Sequence, residues 1–225
     1  MADPQSPARP RRERKQNADM RRGQIIDAAF RSIVRNGLSG TTLASVASEA
    51  GLSQGVALFY FSNKQALLAA ALQRQYDLYQ QAWQKALAAA GANPAAQIVA
   101  LVRSDFTPEI CNEETLIIWH AFWGESNARP LYGEISKTFE AARAGAMRAA
   151  CAALLRAEAR PTDEACDIAA GIDAMTDGLW QAIYLSNRPP NRDRPMRLAA
   201  IYLASAFPAH SAAFRAGFGI GAVPE

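Results

Sequence analysis

Apolar residues recur at steps of three and four along most of the chain, and this spacing predicts an all-α protein. The first apolar face is formed by Ile25, Ile26, Ala29, Phe30 and Ile33. Its helix is expected to begin at Arg21 and to end at Asn36-Gly37, a typical helix end. A second face of the same kind is formed by Leu43, Val46, Ala47 and Ala50.

A short turn, Gly51-Leu52-Ser53, separates the second helix from a third. Gly51 readily adopts the left-handed conformation that ends a helix. The hydroxyl of Ser53 is suited to cap the helix that follows, as Thr41 or Thr42 is for the helix before. Helix, turn and helix in this order predict a helix-turn-helix unit, whose last helix enters the major groove of DNA.

Side chains around this turn are suited to contact bases and phosphates. Gln54 carries an amide that pairs with adenine, and the apolar side chains that follow it fit thymine methyl groups. Tyr60 and Lys64 are placed to donate to phosphates. A lysine in the first turn of a helix faces the positive end of the helix dipole, which is unfavourable unless a phosphate binds there. Gly55 indicates a close approach to DNA or to the preceding helix, or else a surface position. The predicted DNA-binding residues are Thr42, Ser53, Gln54, Gly55, Val56, Ala57, Phe59, Tyr60 and Lys64.

The net charge of +3 is unevenly distributed. Residues 1–64 hold ten Lys or Arg against five Asp or Glu, a net charge of +5, so the remainder carries −2. Arginine and proline are frequent in residues 1–20, which predicts a disordered basic arm. Such an arm either contacts DNA phosphates or an adjacent minor groove, or acts as a solubilising tail. The DNA-binding unit is then expected over residues 21–66.

The rest of the chain is predicted to form a helical bundle over residues 67–210 that binds a ligand and dimerises. Its helices are expected at about 64–91, 95–106, 116–124, 130–157, 162–185 and 194–206, with Thr162 as the cap of the fifth. The final residues, 211–225, are rich in glycine and are expected to be a loose tail.

Two sets of aromatic and acidic residues in this bundle favour a site for a cation. One helix carries aromatic residues at i, i+3 and i+4, and another alternates carboxylates with aromatics on one face. Aromatic faces attract quaternary ammonium groups, whereas the alternative is an aromatic core with solvated carboxylates. The predicted ligand-binding residues are Trp119, Phe122, Trp123, Asp173, Asp177, Trp180 and Tyr184. The helix that carries Asp173 and Asp177 also has an apolar stripe with Gly171 and Gly178, which predicts close packing against another helix or subunit.

Other functions find little support in the sequence. The three cysteines, Cys111, Cys151 and Cys166, lack metal-ligand spacing and are expected to be reduced core thiols. The histidines are His120 and His210, and no catalytic triad, phosphate loop, metal site or cofactor motif is present. No segment is long and apolar enough to cross a membrane, and no apolar signal region is evident, so a cytoplasmic protein is expected.

Two stretches resemble the TetR family of bacterial regulators: Gly51 to Gly55, and Tyr60 to Lys64. Leu58 stands where that family often has tyrosine, and Phe59 where many members have histidine. Three stretches are similar to the BetI-type branch of that family: Leu116 to Tyr132, Asp177-Gly178-Leu179-Trp180, and Leu185-Ser186-x-x-Pro. The likeness covers most of residues 21–208.

The resemblance implies a homodimeric repressor on a palindromic operator, controlling choline and glycine betaine genes in response to choline. The alternative is a TetR-type repressor or activator of other genes with a different small ligand.

Overall fold

The computed structural model describes residues 11–126, 130–186 and 188–220, and all regular structure in these residues is helical, which confirms the all-α prediction. The helices are α1 (Arg11–Gly40), α2 (Leu43–Glu49), α3 (Gln54–Tyr60), α4 (Lys64–Ala89), α5 (Pro94–Asp105), α6 (Glu113–Ser126), α7 (Pro130–Ala157), α8 (Glu164–Leu185), α9 (Asp193–Ala206), a 3₁₀ turn (Pro208–His210) and α10 (Ser211–Gly217). Among the described residues, no helix is long and apolar enough to span a bilayer.

The chain forms two compact units, one up to Leu72 and one from Gln73 onward. The boundary lies inside α4, so this helix contributes its first part to one unit and its remainder to the other. The sequence predicted the boundary at residue 66, where α4 has just begun. The first turns of α4 belong to the DNA-binding unit, because Leu67 and Leu68 are buried there.

The first helix begins ten residues earlier than predicted, at Arg11. The expected disorder is therefore absent from residues 11–20, which contain no glycine or proline and are rich in strong helix formers. Residues 1–10 of the predicted arm lie outside the described part of the chain. Gly37 interrupts the helix near its end with a φ of 66°, close to the predicted end.

Side-chain caps fix the helix-turn-helix as the sequence predicted. Thr42 caps α2 in a reciprocal arrangement, in which its hydroxyl accepts from the Ser45 N–H and the Ser45 hydroxyl accepts from the Thr42 N–H. Gly51 has a φ of 67° and ends α2. The Ser53 hydroxyl accepts from the Val56 N–H at 3.4 Å and caps α3.

The second unit packs α7 and α8 against each other and against α5, with apolar residues such as Leu154, Leu155 and Ile172 fully buried. Asp163, and not the predicted Thr162, caps α8 through its carboxylate. Gly171 of α8 lies close to α9, because an added Cβ would overlap the Tyr202 hydroxyl.

The predicted loose tail is helical over residues 211–217. Phe214 and Phe218 are four residues apart and both are buried, with the Phe214 ring 5.8 Å from that of Phe207. Their burial orders this segment despite its glycines. Residues 221–225 lie outside the described residues.

Of the three cysteines, Cys111 and Cys151 are buried as predicted. Cys166 is exposed on the first turns of α8, so the prediction of a core thiol is wrong at that position.

Candidate DNA-binding surface and ligand cavity

The outer face of α3 is unusually apolar for a solvent-exposed surface. The Phe59 side chain is 82% exposed, and Val56 and Leu58 are also exposed. Gln54 lies on the same helix and is exposed as well. A helix of seven residues that leaves so much apolar surface uncovered is suited to contact thymine methyl groups in a groove.

Ala57 does not belong to this surface, and the prediction that it contacts DNA is wrong. Its side chain is completely buried and faces the core of the unit. Gly55 is exposed, and the nearest atom that the described residues outside its own helix would offer to an added Cβ is the Ser53 hydroxyl, at 3.9 Å. Close packing against α2 therefore does not explain this glycine, and an approach to DNA stays a prediction beside that of an ordinary surface position.

The two predicted phosphate contacts differ in their surroundings. Tyr60 is half-buried at the end of α3, and its ring meets that of Phe59 edge to face at 5.2 Å. The Lys64 ammonium donates to the Ser39 carbonyl at 2.9 Å, so the protein itself provides one partner for this cation. The start of α4 is capped separately, because the Asn63 carboxamide accepts from the Ala66 N–H.

Two arginines of α1 form ion pairs with α2. Arg31 and Arg35 both pair with Glu49, and the hydrogen bond from Arg31, at 2.9 Å, contributes most to a lowered pKa of that carboxyl. Thr42 and Ser53, two predicted DNA contacts, are exposed but already use their hydroxyls as helix caps. Their position at the helix starts is therefore structural whether or not they meet DNA.

A cavity of about 440 Å³ lies within the second unit, a volume typical of small-molecule sites. Five helices supply its walls, and aromatic and charged side chains dominate the lining. The aromatic residues of the lining are Tyr76 and Tyr79 of α4, Trp119 and Trp123 of α6, Phe139 of α7 and Trp180 of α8.

Three indole rings cluster in this lining. The ring centroids of Trp119, Trp123 and Trp180 are 6.2 Å apart in each of the three pairs, and the planes of Trp123 and Trp180 are only 22° apart. The Tyr79 ring meets Trp119 and Trp180 edge to face, at 5.9 Å from each. We call Trp119, Trp123 and Trp180 the tryptophan triad.

Arg143 is the electrostatic centre of the cavity. Its guanidinium pairs with Asp105 at 2.5 Å and also with Asp173, so that one cation links α7 to α5 and α8. Tyr79 donates to the other oxygen of Asp105 at 2.7 Å, and the Trp180 indole N–H donates to the Asp105 carbonyl at 2.9 Å.

Burial and neighbouring charge shift the pKa values of this network. Burial raises the pKa of Asp105 to about 6, although Arg143 and the Tyr79 hydroxyl oppose the rise. Burial would lower the pKa of Arg143, but the charge of Asp105 overcomes this and raises it, so the arginine stays charged. Desolvation and the charge of Asp173 raise the pKa of Asp177 to about 6, although that residue is exposed at the cavity wall. With pKa values of about 6, Asp105 and Asp177 are mostly ionised at pH 7.5.

The cavity includes five of the seven predicted ligand residues, namely Trp119, Trp123, Asp173, Asp177 and Trp180. The structure places the other two outside it. Phe122 is buried on the far side of α6, where its ring contacts that of Tyr132. Tyr184 stacks on His120 at 4.1 Å, near the exposed end of α8. Helical spacing put both on the expected helices but did not show which neighbour each would face.

Sequence reasoning missed the residues that α4, α5 and α7 contribute. Asp105 is only 1% exposed, but it follows Arg103 and Ser104, so the local sequence did not indicate a buried charge there. Arg143 lies between alanines in an alanine-rich helix, and a charge in that context was the available signal. The other missed lining residues with polar or aromatic side chains are Tyr76, Tyr79, Lys137, Phe139, Glu140 and Thr176.

Comparison with known proteins agrees with this division into two units. Residues 25–71 match the family of bacterial regulatory proteins called the tetR family, and residues 94–208 match the C-terminal domain of the BetI-type transcriptional repressors. The HTH-type transcriptional regulator BetI of Paraburkholderia xenovorans is 33% identical over 199 residues, covering 82% of this chain and 92% of the relative. The BetI regulator of Burkholderia thailandensis is 34% identical, and the match again covers 82% of this chain and 92% of the relative.

Solved structures show the same fold. A transcriptional regulator from Pseudomonas aeruginosa PAO1 superposes with a TM-score of 0.74 at 21% identity, over 88% of this chain and 95% of the other. A regulator from Saccharomonospora viridis in complex with choline gives a TM-score of 0.71 at 21% identity, over 82% of this chain and 96% of the other. These relatives are transcriptional regulators and not enzymes. The chain is therefore a member of the TetR family of helix-turn-helix transcriptional regulators, with a C-terminal domain of the BetI type.

Proposed function

We propose that this regulator is a homodimeric repressor that binds a palindromic operator and releases it when a quaternary ammonium cation, choline in the first place, enters the cavity. The observation that supports the ligand most directly is the tryptophan triad beside an excess of carboxylates. Asp105, Glu140, Asp173 and Asp177 line the cavity against only Lys137 and Arg143.

The cavity fits a methylated ammonium better than a metal ion or a primary amine. A quaternary ammonium has no N–H to donate, so its binding depends on aromatic faces and unpaired negative charge. Both are present in the lining, and each cation–π contact contributes about 0.5–2 kcal/mol. The choline complex of the Saccharomonospora viridis regulator supports the same ligand in a related fold.

The apolar face of α3 supports DNA reading by van der Waals contact. Phe59, Val56 and Leu58 would meet base edges, Gln54 would pair with adenine, and Tyr60 and Lys64 would donate to phosphates. Lys64 would keep or exchange its bond to the Ser39 carbonyl when a phosphate approaches. Phosphate contacts make affinity fall steeply with salt, so operator binding should weaken at least tenfold between about 50 and 200 mM salt.

Exposed apolar residues near the end of α8 and on α9 support a homodimer. Leu185 and Ile201 are more than half exposed, and Leu198 is also exposed. Among the described residues, a Cβ added at Gly178 would meet no atom from outside its own part of α8 within 4 Å, which leaves room for a second helix at that point. Two copies that associate here would present two α3 helices to one palindromic operator.

The response to ligand would act through α4. Tyr76 and Tyr79 of this helix line the cavity, and its first turns belong to the DNA-binding unit. A ligand shifts the equilibrium between operator-bound and released conformations only as far as it binds one of them more tightly.

Thermal unfolding of the purified protein tests the ligand class. A ligand that binds only the folded state stabilises it by about 2.7 kcal/mol at one hundred times its Kd, so choline should raise the melting temperature in a saturable way. Glycine betaine and potassium chloride at equal ionic strength are the controls. A shift with an unrelated hydrophobic compound, and none with choline, would favour a TetR-type regulator with a different ligand.

A further inference from the structure

The four carboxylates of the cavity are not equivalent, because three of them already have partners. Asp105 pairs with Arg143 and accepts from the Tyr79 hydroxyl. Asp173 pairs with Arg143, and Glu140 accepts from the Tyr76 hydroxyl at 3.1 Å. Within the described part of the chain, Asp177 is the one cavity carboxylate without a hydrogen bond or ion pair.

Asp177 is also well placed relative to the tryptophan triad. It lies one turn before Trp180 on the same face of α8, and both side chains line the cavity. Residues at this spacing are neighbours on a helix surface. An ammonium group that stacks against the triad would therefore lie beside the carboxylate of Asp177.

On the basis of the proposed ligand class, we propose that Asp177 alone is the counter-ion of the bound cation, whereas Asp173 and Asp105 are positioning residues that fix Arg143. Asp177 then determines the preference for a charged ligand over an uncharged one of the same shape. The triad supplies contact area to both kinds of ligand, because a methyl group packs against an indole with or without a charge.

The surrounding charges define how the site responds to pH. Asp177 is faced by Asp173 on its own helix, by Lys137, Glu140 and Arg143 of α7, by Asp105 of α5, and by the neutral phenols of α4; α6 contributes only aromatic groups. Protonation of Asp177 removes the unpaired negative charge. Because the pKa of Asp177 is about 6, affinity for a cation should fall as pH drops from 7.5 toward 5.

Two matched ligands test this assignment. Choline and 3,3-dimethylbutan-1-ol have the same shape and the same hydroxyl, but only choline carries a charge. Dissociation constants for both are measured by calorimetry on the full-length protein at pH 7.5, for the wild type and for Asp177→Asn and Asp173→Asn. Both variants preserve side-chain volume, and thermal unfolding shows whether each is folded.

We expect Asp177→Asn to weaken choline about tenfold and the alcohol less than twofold, since only the charge pair is lost. Asp173→Asn should reduce thermal stability but change the ratio of the two constants by less than about threefold, because loss of the neighbouring charge lowers the pKa of Asp177 and Arg143 still pairs with Asp105. The wild type should lose choline affinity between pH 7.5 and 5, and Asp177→Asn should lose much less.

The assignment is overturned if Asp177→Asn keeps the wild-type ratio of the two dissociation constants, or if Asp173→Asn loses that ratio instead. The proposed ligand class would stand in either case. If the wild type binds neither compound, or binds the alcohol as tightly as choline, the ligand class itself is refuted together with the assignment. Should Asp177→Asn fail to fold, a choline affinity of the wild type that does not change between pH 7.5 and 5 would still overturn it.

Discussion

The two units use side chains in opposite environments. In the DNA-binding unit, most side chains proposed to meet DNA point outward, and Phe59 is 82% exposed although its ring meets that of Tyr60. In the second unit, several side chains of the cavity are also part of the core, and Arg143 and Trp180 both donate to Asp105. Function on the exposed face of α3 is therefore separable from stability, whereas in the cavity of the second unit the two are coupled.

This comparison is clearest for the ion pairs of the two units. Arg35 is more than half exposed where it pairs with Glu49, and Arg143 is almost fully buried where it pairs with Asp105. Exposed pairs contribute little because water already solvates both charges. Removal of one partner from a buried pair leaves an uncompensated charge in the core.

The largest expected effect follows from replacing these arginines. Arg143→Met should lower the free energy of unfolding by about 3–5 kcal/mol, because it leaves Asp105 buried without its cation. Arg35→Met should lower it by less than about 1 kcal/mol. Urea denaturation of both variants measures the difference, and equal losses would show that the two units do not differ in this way.

The next effect separates DNA binding from stability within α3. Phe59→Ala should weaken operator binding about tenfold, since a large apolar contact is lost, and leave the melting temperature unchanged because the side chain is exposed. Fluorescence anisotropy and thermal unfolding provide the two measurements.

Ala57→Leu is the matched control for Phe59→Ala. It lies two residues away and is fully buried, so added volume should destabilise the unit by about 1–3 kcal/mol. A stability loss in Phe59→Ala, or none in Ala57→Leu, would reverse our assignment of the two faces of α3.

The smallest effect concerns two glycines of α8. Gly178→Ala should stabilise the isolated subunit by about 1 kcal/mol through helix propensity, because among the described residues the added methyl group meets no atom from outside its own part of α8. Gly171→Ala should lose most of this gain, since Tyr202 must move to make room. Unfolding at low protein concentration measures both, and sedimentation velocity shows whether Gly178→Ala also weakens the dimer that we propose.

The sequence predicted the DNA-binding unit in more detail than the cavity, and the reason is physical. Caps and turns depend on residues three or four positions apart, so Thr42, Gly51 and Ser53 could be assigned from local pattern alone. Even so, the burial of Ala57 was missed, because a seven-residue helix is too short for its apolar face to be unambiguous.

The cavity depends on contacts between helices that are distant in sequence. Asp105 and Arg143 are 38 residues apart, and no periodicity within α5 or α7 indicates that their side chains meet. Phe122 and Tyr184 share helical faces with cavity residues and still lie outside it, because a neighbouring side chain, Tyr132 or His120, covers each ring. The spacing of apolar residues identified the helices, but packing between the helices determines which of their residues line the cavity.

Ligand-controlled release of DNA tests the central proposal most directly. A duplex selected by this protein from a random-sequence library is labelled, and its anisotropy is followed at constant ionic strength as choline is added to the preformed complex. We predict saturable release with a midpoint that follows choline binding, and no release by 3,3-dimethylbutan-1-ol at the same concentrations. A complex that stays intact while calorimetry shows the cavity filled with choline would contradict the proposal.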